Sequence, residues 1–250
     1  NEAYNKHVRQ PIIEESGQDW RSRVFGHDMT ENLNAIGYGK VNFTNQLRMF
    51  DEMGMSPERQ VLIYCHYIMR QRYCSSKNIY TSYKDWIVPQ INSVDGRVHM
   101  IDIGCGPATC GISFAELFGE CAPNMLYTGI DVSVEMKRMG ERLMDEVFKG
   151  KLRYQMKDSF QSLDASFWEA TSELPSLVVF NFSYFFSNVS PKFAEKLAAQ
   201  IREVMSTYRL NRYVFFIQQS DIDKGLNSYK VFRQTLRPLT RTVKSEDTCF

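Results

Sequence analysis

From Val98 onward, short apolar runs alternate with longer stretches whose apolar residues recur at helical spacing, and this alternation restricts the fold more than any other feature. Val98 to Ile103 predicts a strand, Thr109 to Phe118 a helix, Met125 to Ile130 a second strand and Val134 to Phe148 a second helix. Leu152 to Met156 predicts a third strand, Ser176 to Phe180 a fourth and Tyr213 to Ile217 a fifth. Ser190-Pro191 supplies an N-cap and a first-turn proline for an intervening helix with Phe193, Leu197, Ile201 and Val204 along one face. Strands alternating with helices build an α/β, doubly wound, mostly parallel sheet, whose ligands bind beyond the carboxyl ends of the strands. Asp102, Asp131, Asp158 and Asn181 are all expected at those ends.

Residues 1–95 lack this alternation. The first half-dozen carry no strong pattern, and Pro11 to Gly17 has loop composition. Ser56-Pro57 starts a helix with Val61, Leu62, Cys65, Ile68 and Met69 at helical spacing. Tyr80, Tyr83 and Trp86 follow at three-residue intervals, as helix packing or as an aromatic cage. The chain therefore divides into a mainly helical extension or cap, residues 1–95, and a sheet core, residues 96–250. It stops at Cys249-Phe250 in a strand-like run, so the core is expected to be incomplete at its C-terminal end.

Composition narrows the partners. Thirty Lys and Arg against 29 Asp and Glu leave no global field to draw the chain to nucleic acid or to a membrane. Any polyanion must be held by a local patch. No apolar run reaches membrane-spanning length. The six cysteines show neither metal-ligand spacing nor the density of a disulfide framework, and the four histidines are scattered. No metal site is expected, and free thiols suit a cytoplasmic setting.

The most informative segment is Ile101-Asp-Ile-Gly-Cys-Gly-Pro-Ala-Thr109. Gly104 and Gly106 let the chain turn sharply out of the strand and let a ligand approach the backbone. Asp102 stands two residues before the first glycine. A dinucleotide loop aims a helix N-terminus at pyrophosphate, where a neighbouring carboxylate would repel the ligand. An acid there suits a cationic end instead, such as the ammonium of a methionine moiety. Asp131, closing the second strand, can accept both hydroxyls of a ribose. Asp158, after the third strand, can accept from an adenine amino group, although Asp158-Ser159 is also ordinary turn chemistry.

This constellation resembles the class I S-adenosylmethionine (SAM) dependent methyltransferases over roughly Arg97 to Ile217. The resemblance implies a Rossmann-like methyltransferase sheet with SAM as cofactor. It implies that Asp102, Gly104, Gly106 and Pro107 wrap the methionine and ribose portions, that Asp131 holds the ribose, and that Asp158 with Ser159 reads adenine. Ala108 stands where a third glycine is common. The fourth strand ends in Asn181-Phe-Ser-Tyr184, which has the spacing of the Asn-Pro-Pro-Tyr motif of amino-group methyltransferases but neither proline. By that resemblance Asn181 orients an acceptor nitrogen and lines the cofactor site, and Tyr184 stacks on the acceptor. Tyr184, Phe185 and Phe186 equally suit a core under the sheet edge.

The resemblance implies methyl transfer and leaves the acceptor open; two local basic clusters and the many tyrosines point to RNA, ribosomal RNA included, ahead of a small molecule or a protein. Arg70, Arg72 and Lys77 follow the aromatic-rich helix, and Lys224, Lys230, Arg233, Arg237, Arg241 and Lys244 form a basic run. Both sets suit phosphates or a solvated face. An inactive scaffold of the same fold is the competing reading from another class, and a nicotinamide dehydrogenase is disfavoured by Asp102.

Overall fold

A computed structural model describes residues 2–37, 55–172, 174–219 and 223–240. Its centre is one parallel sheet of β1 (Val98–Ile103), β2 (Leu126–Ile130), β3 (Arg153–Lys157), β4 (Leu177–Ser183) and β5 (Arg212–Gln218). The spatial order is β3-β2-β1-β4-β5. The chain is thus an α/β, doubly wound, Rossmann-like protein with an N-terminal helical extension. β1 and β4 sit at the middle of the sheet and are buried along most of their length, which accounts for their near-continuous apolar sequences.

Nine helical stretches flank the sheet among the described residues. The N-terminal layer holds α1 (Glu2–Tyr4, a wide π-type turn Asn5–Arg9, then Gln10–Ser16) and α2 (Met29–Ala35). It continues with α3 (Pro57–Tyr64, a second wide turn Cys65–Met69, then Arg70–Ser82) and α4 (Lys84–Asn92). The sheet helices are α5 (Thr109–Phe118), α6 (Val134–Phe148), α7 (Ala165–Ser172), α8 (Pro191–Thr207) and α9 (Asp223–Leu236). The predicted caps hold: Ser56 and Ser190 accept from the backbone N–H groups of Arg59 and Phe193.

Alternation along the strands sorts the apolar residues into two cores. Val98 and Met100 of β1, Leu177 and Val179 of β4 and Phe216 of β5 join α5, α6 and the N-terminal helices. Ile101, Ile103, Val178, Phe180 and Phe182 join α7, α8 and α9 on the other face. The helical extension therefore shares its core with the sheet. By the same parity, Asp102, Asn181 and Gln218 face the N-terminal layer.

Two expectations need correction. Residues 2–16 are helical, not irregular and looped: Val8 and Ile12, four apart, are fully buried in the shared core. A stripe this sparse is helical because neighbours cover it, not from intrinsic propensity. Gly17, at φ +69°, ends the helix. β4 also continues past Phe180 to Ser183, so Asn181 lies within the strand and not beyond it. Arg241, Lys244, Cys249, the terminal strand-like run and the side chain of Lys224 lie outside the described residues.

Candidate functional site

The crossovers β1-α5-β2 and β2-α6-β3 cover one face of the sheet, whereas β3-α7-β4 and β4-α8-β5 cover the other. The winding reverses between β1 and β4, and a crevice opens beyond their carboxyl ends. The glycine loop lies at this point. The Gly104 and Cys105 N–H groups donate to the carbonyl of Ile130, at 2.8 and 3.1 Å, tying the loop to the end of β2. Gly104, Gly106 and Ala108 all adopt left-handed backbone, with φ of +74°, +52° and +59°. A Cβ on Gly104 would stand 2.9 Å from the Phe185 ring, so this glycine lets the loop after β4 close against it. A Cβ on Gly106 would meet nothing within 4 Å. Gly106 presents bare backbone to open space, as a ligand cradle requires.

Asp131 fastens this cradle. One carboxylate oxygen accepts from the Gly106 N–H at 2.9 Å and the other from the Ser133 N–H at 2.8 Å. Ser133 in turn caps α6 through the Met136 N–H. Burial raises the Asp131 pKa, and the Ser133 and Gly106 N–H groups oppose the rise. A carboxylate has about four acceptor positions. Two are used here, leaving one on each oxygen.

Asp102 lies beneath the loop, 1% exposed, in register with Asn181 on the neighbouring strand. It accepts from the Asn181 amide at 2.7 Å and from the Tyr127 hydroxyl at 3.1 Å. The Asn181 carbonyl accepts from the Tyr80 hydroxyl at 2.8 Å. A Cβ on Gly111 would stand 2.1 Å from the Tyr127 ring, so a glycine inside α5 is what lets that ring cross to Asp102. Burial pushes the Asp102 pKa up to about 6 against the opposing bonds from Asn181 and Tyr127, and the charge of Asp131 raises it further. Asp102 and Asn181 thus form a closed buried relay with two tyrosines. Asp102 is buried beneath the loop, and Asn181 also lines a small cavity with Tyr80 and Gln218.

The remaining predicted residues divide. Pro107 is buried, with its carbonyl carbon 3.3 Å from where a Cβ on Gly140 of α6 would lie. Asp158 is exposed and ion-paired with Lys137, which lowers its pKa. The Ser159 hydroxyl pairs with that of Ser162 at 3.2 Å. Asp158 nonetheless stands beside the second strand's acid, because the Asp131 N–H donates to the carbonyl of Lys157 at 3.1 Å and the charge of Lys137 acts on Asp131 as well. Tyr184 stands just past β4 in left-handed backbone at φ +56°, its N–H donating to the Gln218 carbonyl at 2.7 Å. A non-glycine residue in that region is strained, and such strain clusters at ligand clamps. The Arg72 guanidinium stacks 3.3 Å from the centroid of the Tyr184 ring. Tyr80 and Tyr83 pack edge-on against Phe216, so that aromatic series is packing, with the Tyr80 hydroxyl as its polar end.

No protein-family model and no curated protein matches the chain.

Among the described residues, no group of His, Cys, Asp and Glu is placed to hold a metal, and no helix is long and apolar enough to cross a membrane. What the crevice offers is backbone and carboxylate chemistry. The N-terminus of α5 has no side-chain cap, and the buried Thr109 hydroxyl at its first position has no partner. Sequence reasoning missed Tyr127 and Gln218, and singled out Tyr80 and Arg72 without linking them to β1 and β4. For Tyr127 a signal existed, because Gly111 within a helix marks a close approach. The others come from α3 and β5, and chain spacing alone does not bring them to β1.

Proposed function

We propose that the chain is a SAM-dependent methyltransferase acting on RNA. The observation that carries this reading is Asp131, clamped to the Gly106 N–H beside an open backbone cradle at the reversal of winding. Its two unused acceptor positions suit the paired hydroxyls of a ribose. Gly104, Gly106 and Pro107 would enclose the methionine portion, and the unpaired Thr109 hydroxyl would supply a donor there. The negative fields of Asp102 and Asp131 favour a cation over the pyrophosphate of a dinucleotide. SAM supplies an electrophilic methyl group on a sulfonium. The residues of this chain would position the donor and exclude water, which is where most of the rate of an in-line transfer arises.

For the acceptor, Tyr184 supplies a ring at the carboxyl end of β4. Asn181, with both amide ends engaged, would set the shape of the floor beneath it. Asp158, exposed and with only one carboxylate oxygen on Lys137, keeps the other to accept from an adenine amino group. RNA is favoured by arginines laid on rings across the N-terminal layer: Arg9 and Arg21 lie 5.0 and 5.5 Å from the Trp20 centroid, and Arg70 lies 5.9 Å from that of Tyr4. Lys230, Arg233 and Arg237 add an exposed row at helical spacing along and just past α9. Reversing Arg233 and Arg237 to Glu is expected to abolish salt-sensitive RNA binding in a filter or gel-shift assay; equal binding by the variant removes this row from the interface. The five described cysteines are free thiols, which suits a cytoplasmic enzyme.

One observation favours a scaffold as the second reading. The Asp102-Asn181 relay is closed, and a cleft of about 310 Å³ lies between α7 and α8 on the opposite face of the sheet. Transfer of labelled methyl from SAM into fractionated extract, with and without nuclease, separates the readings. Nuclease-sensitive label supports RNA methylation. Nuclease-resistant label moves the acceptor to protein or small molecule, and no label favours the scaffold.

A further inference from the structure

Resting on the donor reading above, we propose that Arg72 is the anion-recognition residue of the site and takes the carboxylate of the donor's amino-acid end. The charge balance of the crevice calls for such a group. Asp131 stands at its rim and Asp102 beneath it, so a ligand bearing a carboxylate as well as a cation meets repulsion unless a fixed positive charge is near. Lys137 pairs with Asp158 and its charge also acts on Asp131, so it is shared between two carboxylates. Arg72, on α3, forms no ion pair and no hydrogen bond among the described residues, and its one contact of this kind is the stack on Tyr184. Tyr64, on the same helix, feels the charges of both Arg72 and Asp131, which puts this guanidinium on the Asp131 side of α3.

The mode of holding matters. A guanidinium lying flat on a ring is fixed in orientation while its five N–H donors, all in the plane of the group, stay free for a planar carboxylate. The strained backbone of Tyr184 and the bond from its N–H to Gln218 fix the ring beneath. Phe185, the next residue, abuts Gly104, so the platform and the glycine loop are joined side by side. The cation is therefore preorganised next to the cradle.

The test compares S-adenosylhomocysteine, which carries the amino-acid end, with 5′-methylthioadenosine, which lacks it, by calorimetry on the whole chain. The wild type is expected to favour the first by about tenfold or more, and Arg72→Ala to erase that preference while leaving methylthioadenosine affinity unchanged. Arg72→Lys, which keeps the charge but loses the planar fork, is expected to fall between. A preference surviving in Arg72→Ala overturns the assignment, as does an equal loss for both ligands. A wild type that binds neither ligand overturns the donor reading itself, and the Arg72 assignment with it. Thermal melts separate a misfolded variant from a specific loss.

Discussion

Asp131→Ala is expected to weaken SAM binding by about 1.5–3 kcal/mol, roughly ten- to a hundredfold in Kd. Two effects combine. The substitution removes a charged acceptor at the position proposed for the ribose hydroxyls, and it releases the Gly106 and Ser133 N–H groups that the carboxylate holds at 2.9 and 2.8 Å. Gly106, in left-handed backbone, loses the bond that fixes its N–H, so the cradle loses shape as well as charge. Asp131→Asn separates the effects. The amide retains an oxygen for one of the two N–H groups but carries no charge, so affinity between wild type and alanine variant is expected. Calorimetry gives the dissociation constants, and thermal melts report whether the loop has loosened. An unchanged constant in the alanine variant would remove Asp131 from the site.

Asp102 is expected to make the fold less stable as pH rises from about 4 to about 6. Its carboxyl has a folded pKa of about 6 against an ordinary value of 3.8, because burial penalises the charged form. Between these values the folded chain binds the proton more tightly than the unfolded chain, so stability falls with rising pH. The loss amounts to about 3 kcal/mol once Asp102 is ionised. Asp102→Asn leaves an acceptor for Asn181 and a donor for the Tyr127 oxygen without the charge. The difference in stability between variant and wild type, followed by denaturant titration, should grow across that window and level off above it. A difference independent of pH would mean that the buried carboxyl does not titrate there. A cation in the crevice would stabilise the ionised form, so SAM binding near pH 6 is expected to release protons. Binding heats in buffers of different ionisation enthalpy would register that release.

The sheet was legible because its signal is local. β1, β2, β4 and β5 are short, mostly apolar runs, the more polar β3 lies one residue from its predicted place, and α5 and α6 begin and end where the sequence predicts. Alternation also carries information about the site: Val98, Met100 and Asp102 share parity, so Asp102 had to face the helical layer. Reading Asp102 as a strand-end acid missed this, because the burial of its face depends on α3, whose arrival over the sheet is a tertiary event. The same holds for Asn181, whose role as a link between Tyr80 and Asp102 joins three elements far apart in the chain. Asp131 was the clearest residue in advance, since an acid just past a strand and before a helix cap has few places to point. Spacing placed Asp158 after the third strand but not its partner, Lys137, which lies one turn into α6. Residues 2–16 read as irregular because their buried stripe holds only Ala3, Val8 and Ile12.

Titration of the purified wild-type chain with SAM tests the central claim most directly, with NAD as the control ligand. A saturable binding heat for SAM in the micromolar range, absent for NAD and weakened at least tenfold in Asp131→Ala, is the predicted result. No binding at millimolar SAM, or binding of NAD in its place, would contradict the account.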